Sequence, residues 1–565
     1  MKRHGMTRSR AGSLLFCTCS AMGILGMSAN AVADGLATPD ALNMQLLGHN
    51  DMQNRPIYQP TVHKYPSTTA AIGNTPANAY ANKTLLFAGL HNATGGGGCT
   101  GSLPNPLNGG VCEPDGTLLV DVTSPTGPAL LKHLPPANPA NAMAQMVRVC
   151  DGNTGTLGTS GHVYMLRTDG AAGGNGQHDV YDVTDPVNPV LLSVPASGLT
   201  STHKSWWECE TGIAWLVAAD GARPSHPGDG WNTNQHMKLF DLSDPAHPVY
   251  IRDIGLVGQN PNSSVTPASG GVHGPIVAIT NPKTGETINR GYIPYGTSSQ
   301  GVLQIVDRLK VLPNFTTSAG QHIAGTWDGF GTSRAQSPTD VDMQSIVVGS
   351  MMMTPTEGAH SACPVYNIPL KHYQGFASYT TRDYILLISE ETDNKCNGAP
   401  HFGYIVDATR STTGQGAGGI SGEQRPMVVS TMQVFEDIAK PDYCTRGTRF
   451  GTHSCNEVLA HVPSTFFAAD FGKLTFVSYF DGGARAFDIR DPYHPQDVAH
   501  YVAAVHALPF GEQPPNVIGG VTYHDVSHNN LEVDSSGLIY SVDRVGYGMD
   551  ILMLVGPPAA IRTSP

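Results

Sequence analysis

One unit recurs along this chain of 565 residues and constrains its fold more than any other feature. In each copy an apolar strand ends in aspartate, an Asp-Pro-type turn follows, and a second apolar strand begins. Proline fixes φ and removes the N–H donor that a sheet needs, so each turn ends its strand. The clearest copies read VYDVTDPVNPVLL, LFDLSDPAHPVYI and AFDIRDPYHPQDV.

The spacing of these copies predicts the architecture. A hairpin of this kind cannot bury its own apolar face, so it needs neighbours like itself. Repeats of about four strands stack radially around a channel in β-propellers. We therefore predict an all-β, seven-bladed β-propeller whose closing copy begins at Gly548. The strand-ending aspartates are 59 to 100 residues apart, at Asp121, Asp182, Asp241, Asp307, Asp407 and Asp488.

The N-terminus has the features of a targeting segment. A basic start is followed by the largely apolar Ala11–Met27 and by Ala31-Val32-Ala33, which fits a cleavage site. No other stretch approaches the roughly 20 apolar residues of a membrane span. We predict a signal peptide at 1–33, an N-terminal extension packing on the propeller at 34–83, the propeller at 84–556 and a C-terminal tail at 557–565, in a periplasmic or secreted protein.

Charge limits the partners. Removing residues 1–33 removes four basic and no acidic residues, which takes the formal net charge from -13 to -17. A strongly acidic surface argues against nucleic acid and against anionic lipid. The expected partner is a small-molecule substrate, or alternatively a periplasmic protein or a glycan.

Eight cysteines remain after the signal peptide, an even number that favours disulfides in an exported protein. No C-x-x-C pair occurs, which weakens a zinc-thiolate interpretation. If neighbours in sequence pair, the bridges that tie the loops are Cys99–Cys112, Cys363–Cys396 and Cys444–Cys455, which leaves Cys150 for Cys209.

The Asp-Pro segments VYDVTDPVNP, LFDLSDPAHP and AFDIRDPYHP resemble the LVIVD-repeat family of exported bacterial β-propeller proteins. Other segments resemble one subgroup of that family: MVRVCDG, THKSWWEC, HGPI, GAHSACP, RFGTHSCNEV and NNLEVD. The resemblance covers roughly Leu46 to Gly556. It implies the propeller fold and little about chemistry, because a fold does not fix a function.

Four histidines are the main candidates for a functional site. Each is expected near the start of a new blade, where the first strand lines the central channel. Imidazole is a common ligand of transition metals. We predict a metal site for iron, copper or manganese, with a polar channel lining that holds no metal as the alternative. The residues are His203, His273, His360 and His453.

Two carboxylates close to these histidines are the candidate catalytic groups. Glu457 follows His453 at a spacing that places both on one face of an extended strand, and Glu208 follows His203. Either could orient an imidazole or act as a general base. The hypothesis is a metal-dependent oxidoreductase acting on a small organic substrate. The alternative is a non-catalytic propeller that binds a protein or glycan.

Weaker candidates for the same axis are His63, His91, His524 or His528, and Arg148. The pair Trp206-Trp207 would either form the floor of a ligand pocket or, as is more common for tryptophan in strands, belong to the core. The aspartates of the repeated turns are expected to cap those turns and not to form a catalytic pair.

Overall fold

The computed structural model describes residues 39–91, 97–138, 143–170, 176–220, 230–233, 235–266, 270–281, 284–370, 381–410, 421–434, 443–445, 448–457, 472–504, 516–518, 521–523 and 526–563. The predicted signal peptide lies outside the described residues, as does His524. Within the described ranges, no helix is long and apolar enough to cross a membrane.

The strands follow one another in antiparallel meanders. They begin with β1 (Asp40–Leu42), β2 (Met44–Asn50), β3 (Ile57–Lys64), β4 (Thr84–Leu90), β5 (Leu103–Asn105), β6 (Val111–Glu113), β7 (Thr117–Asp121), β8 (Ala129–Leu134), β9 (Met146–Asp151), β10 (Val163–Asp169), β11 (Gly176–Asp182), β12 (Val190–Thr200), β13 (Trp206–Trp207), β14 (Ile213–Asp220), β15 (His236–Asp241) and β16 (Val249–Ile254).

The chain continues with β17 (Ile276–Thr280), β18 (Thr287–Tyr295), β19 (Val302–Asp307), β20 (Asn314–Thr316), β21 (His322–Ala324), β22 (Val347–Met352), β23 (Ser361–Pro369), β24 (Thr381–Ile388), β25 (Gly403–Asp407), β26 (Met427–Met432), β27 (Phe450–Cys455), β28 (Leu474–Phe480), β29 (Ala484–Asp488), β30 (Gln496–Val502), β31 (Asn516–Ile518), β32 (Val521–Tyr523), β33 (His528–Val533), β34 (Leu538–Asp543) and β35 (Met549–Leu554). The described residues also form the short α-helices α1 (Arg308–Val311), α2 (Asp340–Ser345) and α3 (Gly556–Thr563).

The pairing makes the fold all-β and propeller-like. Consecutive strands pair in the orders β3-β4-β7-β8, β9-β10-β11-β12, β13-β14-β15-β16, β17-β18-β19-β22, β23-β24-β25-β26 and β27-β28-β29-β30. The last meander, β33-β34-β35, takes β2 as its fourth strand, and β1 adds to the outer edge of β30. The N-terminal strands thus join the sheets formed by the C-terminal part of the chain.

The repeated aspartates cap their turns, as the sequence predicts. In each case one carboxylate oxygen accepts a hydrogen bond from the backbone N–H two residues ahead. The N···O distances are 2.9 Å from Asp121, 2.9 Å from Asp182, 2.9 Å from Asp241, 3.0 Å from Asp307, 3.0 Å from Asp407 and 3.0 Å from Asp488. Because these carboxylates accept hydrogen bonds from backbone N–H groups, they stabilise the turns and have a structural role.

The apolar core lies between neighbouring meanders. Trp215 of β14 is fully buried and belongs to the same core cluster as Ile293 on β18 in the next meander. Trp206 and Trp207 are also buried and belong to core clusters, which confirms the core interpretation of this pair. Each meander therefore buries its apolar face against the next one, as expected of a repeat that is unstable alone.

The N-terminal boundary of the repeated part differs from the prediction. Ile57–Lys64, assigned from sequence to the extension at 34–83, pairs along its length with Thr84–Leu90 as the first strand of a meander. The segment reads IYQPTVHK, and its proline and polar residues obscured the strand pattern. At the C-terminal end, the predicted tail at 557–565 overlaps α3, which spans Gly556–Thr563.

Two of the four expected disulfides are confirmed, and two are wrong. Cys99–Cys112 and Cys150–Cys209 form as predicted, and the other four cysteines pair as Cys363–Cys455 and Cys396–Cys444. The expectation assumed pairing between sequence neighbours. The fold instead places β23 beside β27, so residues 92 apart in sequence meet. The four disulfides indicate an oxidising, non-cytoplasmic compartment.

The Cys363–Cys455 bridge yields a stability prediction. Replacing both cysteines by serine should lower the free energy of unfolding by about 2–4 kcal/mol, because the bridge closes a long loop in the unfolded chain. The control is the same double change at Cys99 and Cys112, which are 13 residues apart and should matter less. Urea unfolding of both variants measures the difference. Equal losses would contradict the loop-length argument.

Candidate functional site

The structure brings the four predicted histidines together in one buried cluster. His203 and His273 lie three residues before the first strands of their meanders, His360 directly precedes β23, and His453 lies within β27. Successive ring centroids are 4.0 Å, 4.0 Å and 4.4 Å apart from His203 to His453. The four consecutive meanders thus contribute one imidazole each, and we call this group the histidine cluster.

The Nε2 atoms of the histidine cluster converge on one carboxylate. Glu390 lies with its oxygens 3.7 Å from Nε2 of His273, 3.7 Å from Nε2 of His360 and 3.8 Å from Nε2 of His453. Nε2 of His203 is 3.0 Å from Nε2 of His273. Two nitrogens held at about 2.1 Å from one metal ion lie about 3.0 Å apart when they subtend a right angle. The spacing therefore suits ligands of a shared ion.

Hydrogen bonds at Nδ1 determine which nitrogen of His453 carries the proton. Nδ1 of His453 lies 2.6 Å from the backbone oxygen of Asn529 and 2.6 Å from Oδ1 of Asn530. A carbonyl oxygen only accepts, so Nδ1 is the donor. Nε2 then keeps its lone pair, and it is buried with no hydrogen-bond partner among the described residues. This is the tautomer that a metal requires.

Nδ1 of His203 and Nδ1 of His360 also have hydrogen-bond partners. Nδ1 of His203 is 3.1 Å from Oε1 of Gln145, and Nδ1 of His360 is 2.9 Å from the hydroxyl of Ser361. The hydroxyl of Ser361 in turn donates to Glu457 at 3.1 Å and is thereby free to accept from His360. Outer partners of this kind fix the orientation of a ligand ring and raise its basicity.

Burial keeps these imidazoles neutral. Desolvation, reinforced by the neighbouring charge of Lys204, lowers the pKa of His203 to about 3. Desolvation is also the main cause that holds the pKa of His273, His360 and His453 well below the ordinary value. A neutral imidazole offers the lone pair that binds a metal, and the cluster is in that form at neutral pH.

Glu457, a predicted catalytic residue, lies next to the cluster in a buried ionic network. It pairs with Lys204 and, at 3.2 Å, with Arg148, and it accepts hydrogen bonds from Ser454 at 2.9 Å and from Ser361. Burial alone would raise the pKa of Glu457, but Lys204 and Arg148 outweigh it and lower that pKa to about 2. Glu457 is therefore a poor base that supports His360 through Ser361.

Glu208, the other predicted catalytic residue, has a different environment. Its two oxygens bind Arg308 at 2.9 Å and 2.6 Å, and one of them also accepts the indole N–H of Trp215 at 2.9 Å. This bidentate pair ties the loop after β13 to α1. The contacts of Glu208 are those of a structural ion pair, and they do not connect it to the histidine cluster.

Three residues at the cluster were not identified from the sequence. The hydroxyl of Tyr58 is 3.3 Å from Nε2 of His203, and its ring meets His453 edge-on with centroids 5.6 Å apart. Arg449 donates to Glu390 at 2.9 Å. The available signal for Glu390 was its place directly after β24, since that strand pairs with β23 and so ends beside His360.

The weaker candidates have other partners. His63 pairs with Asp151 at 2.8 Å, and His528 contacts Ser541 at 2.8 Å. His91 stacks on Tyr58 with centroids 5.8 Å apart and therefore borders the cluster. Arg148 pairs with Glu457 at 3.2 Å.

A second buried carboxyl, Glu532, yields a pH prediction. Burial raises its pKa to about 8, and its Oε2 accepts a hydrogen bond from the N–H of Val62 at 2.7 Å. Folded protein thus holds a proton that the unfolded chain releases above about pH 4.5. The contribution of Glu532 to the free energy of unfolding therefore falls as pH rises from about 4.5 to about 8.

Glu532→Gln removes this titration and keeps a neutral side chain of the same shape. We expect the variant and the wild type to be similarly stable near pH 4.5. By pH 8 the variant should be more stable by up to roughly 4 kcal/mol, since one pKa unit corresponds to about 1.4 kcal/mol. Chemical unfolding at both pH values measures the difference. A constant difference between the two proteins would rule out a proton on Glu532.

Comparisons with known proteins identify no family. No family profile matches the chain, and no curated protein matches it. Among solved structures, the chain aligns with a candidate 6-phosphogluconolactonase of Bacteroides fragilis at 10% identity and a TM-score of 0.38, covering 75% of this chain and 82% of that one. It also aligns with Sqt1 of Chaetomium thermophilum at 10% identity and a TM-score of 0.41, covering 92% and 100%.

Proposed function

We propose that this protein is an exported seven-bladed β-propeller of the LVIVD-repeat type that binds one transition metal ion on its axis and acts there as a metal-dependent oxidoreductase on a small organic molecule. The six four-stranded meanders and the seventh completed by β2 are the seven blades. The proposed location is the periplasm or the extracellular medium, in keeping with four disulfides.

The observation that carries this proposal is the convergence of the Nε2 atoms of His273, His360 and His453 on Glu390. The four histidines and Glu390 would hold iron, copper or manganese. His273, His360 and Glu390 already have ligand atoms that all lie within 4.8 Å of one another. Imidazole ligands suit iron and copper, and a carboxylate is also compatible with manganese.

A bound redox metal would supply one-electron exchange with the substrate. The chain's own residues would orient the reactants and hold protons. Burial keeps the pKa of Tyr58 well above its ordinary value, so the phenol stays protonated and can donate to a substrate oxygen. The positive charge of Arg449 compensates the negative charge of Glu390. The ion pair between Lys204 and Glu457 stabilises the residues next to the histidine cluster.

The experiment that tests the proposal is metal analysis of the mature protein, purified without an affinity tag that contains histidine. We expect about one iron, copper or manganese ion per chain, either as purified or after reconstitution under reducing conditions. Absence of stoichiometric metal after both procedures would overturn the proposal. The non-catalytic alternative, a propeller that binds a protein or glycan, would then account for the fold.

A further inference from the structure

A cavity of about 200 Å³ lies beside the histidine cluster. Its lining includes Glu391, His401, Phe402, Phe450, Gly451 and Tyr479. Three of these adjoin the cluster along the chain: Glu391 follows Glu390, Gly451 lies two residues before His453, and Tyr479 precedes Phe480. The ring of Phe480 is centred 4.9 Å from that of His453.

The cavity has an exposed rim and a buried inner wall. Cys396 and Pro400 at its rim are exposed, whereas Glu391, Phe450 and Tyr479 on the inner wall are buried. The backbone of Gly451 packs directly against Glu391, because a Cβ at this position would come within 2.7 Å of the Cβ of Glu391. The φ of 154° at Gly451 also disfavours any larger residue. Glu391 on this inner wall is the neighbour in sequence of the proposed ligand Glu390.

The lining favours an aromatic ligand. Phe402, Phe450 and Tyr479 offer ring faces and edges, which pack well against another ring. Glu391 and His401 supply hydrogen-bonding groups, and the lining as described has no lysine or arginine to pair with an anion. A cavity of about 150 Å³ accommodates benzene, so this one has room for one ring and a small substituent.

We infer that this cavity binds a neutral single-ring aromatic molecule carrying a hydroxyl group, of the phenol or benzyl alcohol class. The inference rests on the proposed function, since such a molecule would be the substrate at the histidine cluster. The ring occupies the aromatic wall, and the hydroxyl points inward, toward Glu391 and the cluster.

The test is calorimetric titration of the full mature chain with phenol and benzyl alcohol, with cyclohexanol and glucose as comparison ligands. The aromatic ligands should bind saturably and at least tenfold more tightly than the other two. Phe402→Ala, a partly exposed position, should weaken phenol binding at least tenfold, and Phe402→Tyr should retain it. Phe330→Ala, an exposed phenylalanine away from the cavity lining, should leave binding unchanged.

Several outcomes would overturn the inference. They are no saturable binding of either aromatic to protein that is folded by circular dichroism, equal binding of cyclohexanol, or full retention of phenol binding in Phe402→Ala. The titration is repeated on protein stripped with EDTA, and metal content is measured separately. Metal without phenol binding would contradict the cavity inference alone, and phenol binding without metal would contradict the proposed function alone.

Discussion

Replacing His360 or His453 by alanine should abolish stoichiometric metal binding. Each variant removes one of the nitrogens that converge on Glu390 and leaves a void where the ion would be held. We expect metal content to fall from about one ion per chain to below about 0.1, and affinity to fall at least 100-fold. Elemental analysis and a competition titration with a metal-binding dye measure the two quantities.

The chain offers matched controls for this experiment. His247 and His494 lie in the repeated Asp-Pro turns with side chains 82% and 74% exposed, each beside an aspartate. Alanine at either position should leave metal content unchanged. His360→Gln keeps a polar side chain of similar length and tests whether loss of metal follows from loss of the imidazole. Full metal content in His360→Ala and His453→Ala would exclude these residues as ligands.

The second large effect is expected at Glu457. Alanine at this position would leave Lys204 and Arg148 buried without their shared carboxylate, beside four imidazoles. Removing one partner of a buried ion pair commonly costs about 3–5 kcal/mol because the remaining charge is uncompensated. We expect a loss of that size in the free energy of unfolding, measured by urea denaturation at pH 7.

The control is Arg490→Ala, which breaks an ion pair with Asp488 through a side chain that is 47% exposed and leaves the backbone hydrogen bond accepted by Asp488 in place. Loss of that ion pair should cost no more than about 1 kcal/mol. The Glu457 contribution should also depend on pH. Since its folded pKa of about 2 lies below the unfolded value, the stabilisation is present above about pH 4.5 and is lost as pH falls toward 2. Equal losses in the two alanine variants would contradict a buried, ionised Glu457.

Short-range patterns in the sequence predict much of the fold. The Asp-Pro turns repeat a local hydrogen bond between an aspartate and the N–H two residues ahead, so they are readable wherever they occur. Their spacing predicted an all-β, propeller-like fold. The same logic predicted that His203, His273, His360 and His453 would meet, because each lies close to the start of a repeat.

Residues whose roles depend on distant partners were harder to assign. Glu390 lies two residues beyond the second strand of its meander, and only the register of β24 against β23 brings it to the cluster. Tyr58 was missed because its strand, with proline at position 60, reads as a loop. Glu208 and Glu457 looked equivalent beside histidines, yet one binds Arg308 and the other Lys204 and Arg148.

Local sequence patterns were sufficient to predict the repeating strand-turn-strand unit and the placement of one histidine in each of four consecutive repeats. These features depend on residues a few positions apart, where chain geometry leaves little choice. The Cys363–Cys455 bridge, the convergence of imidazoles on Glu390 and the partners of Glu208 and Glu457 became evident from the three-dimensional fold alone. Those contacts join residues tens to hundreds of positions apart, and their geometry is set by how neighbouring meanders pack, which no local pattern encodes.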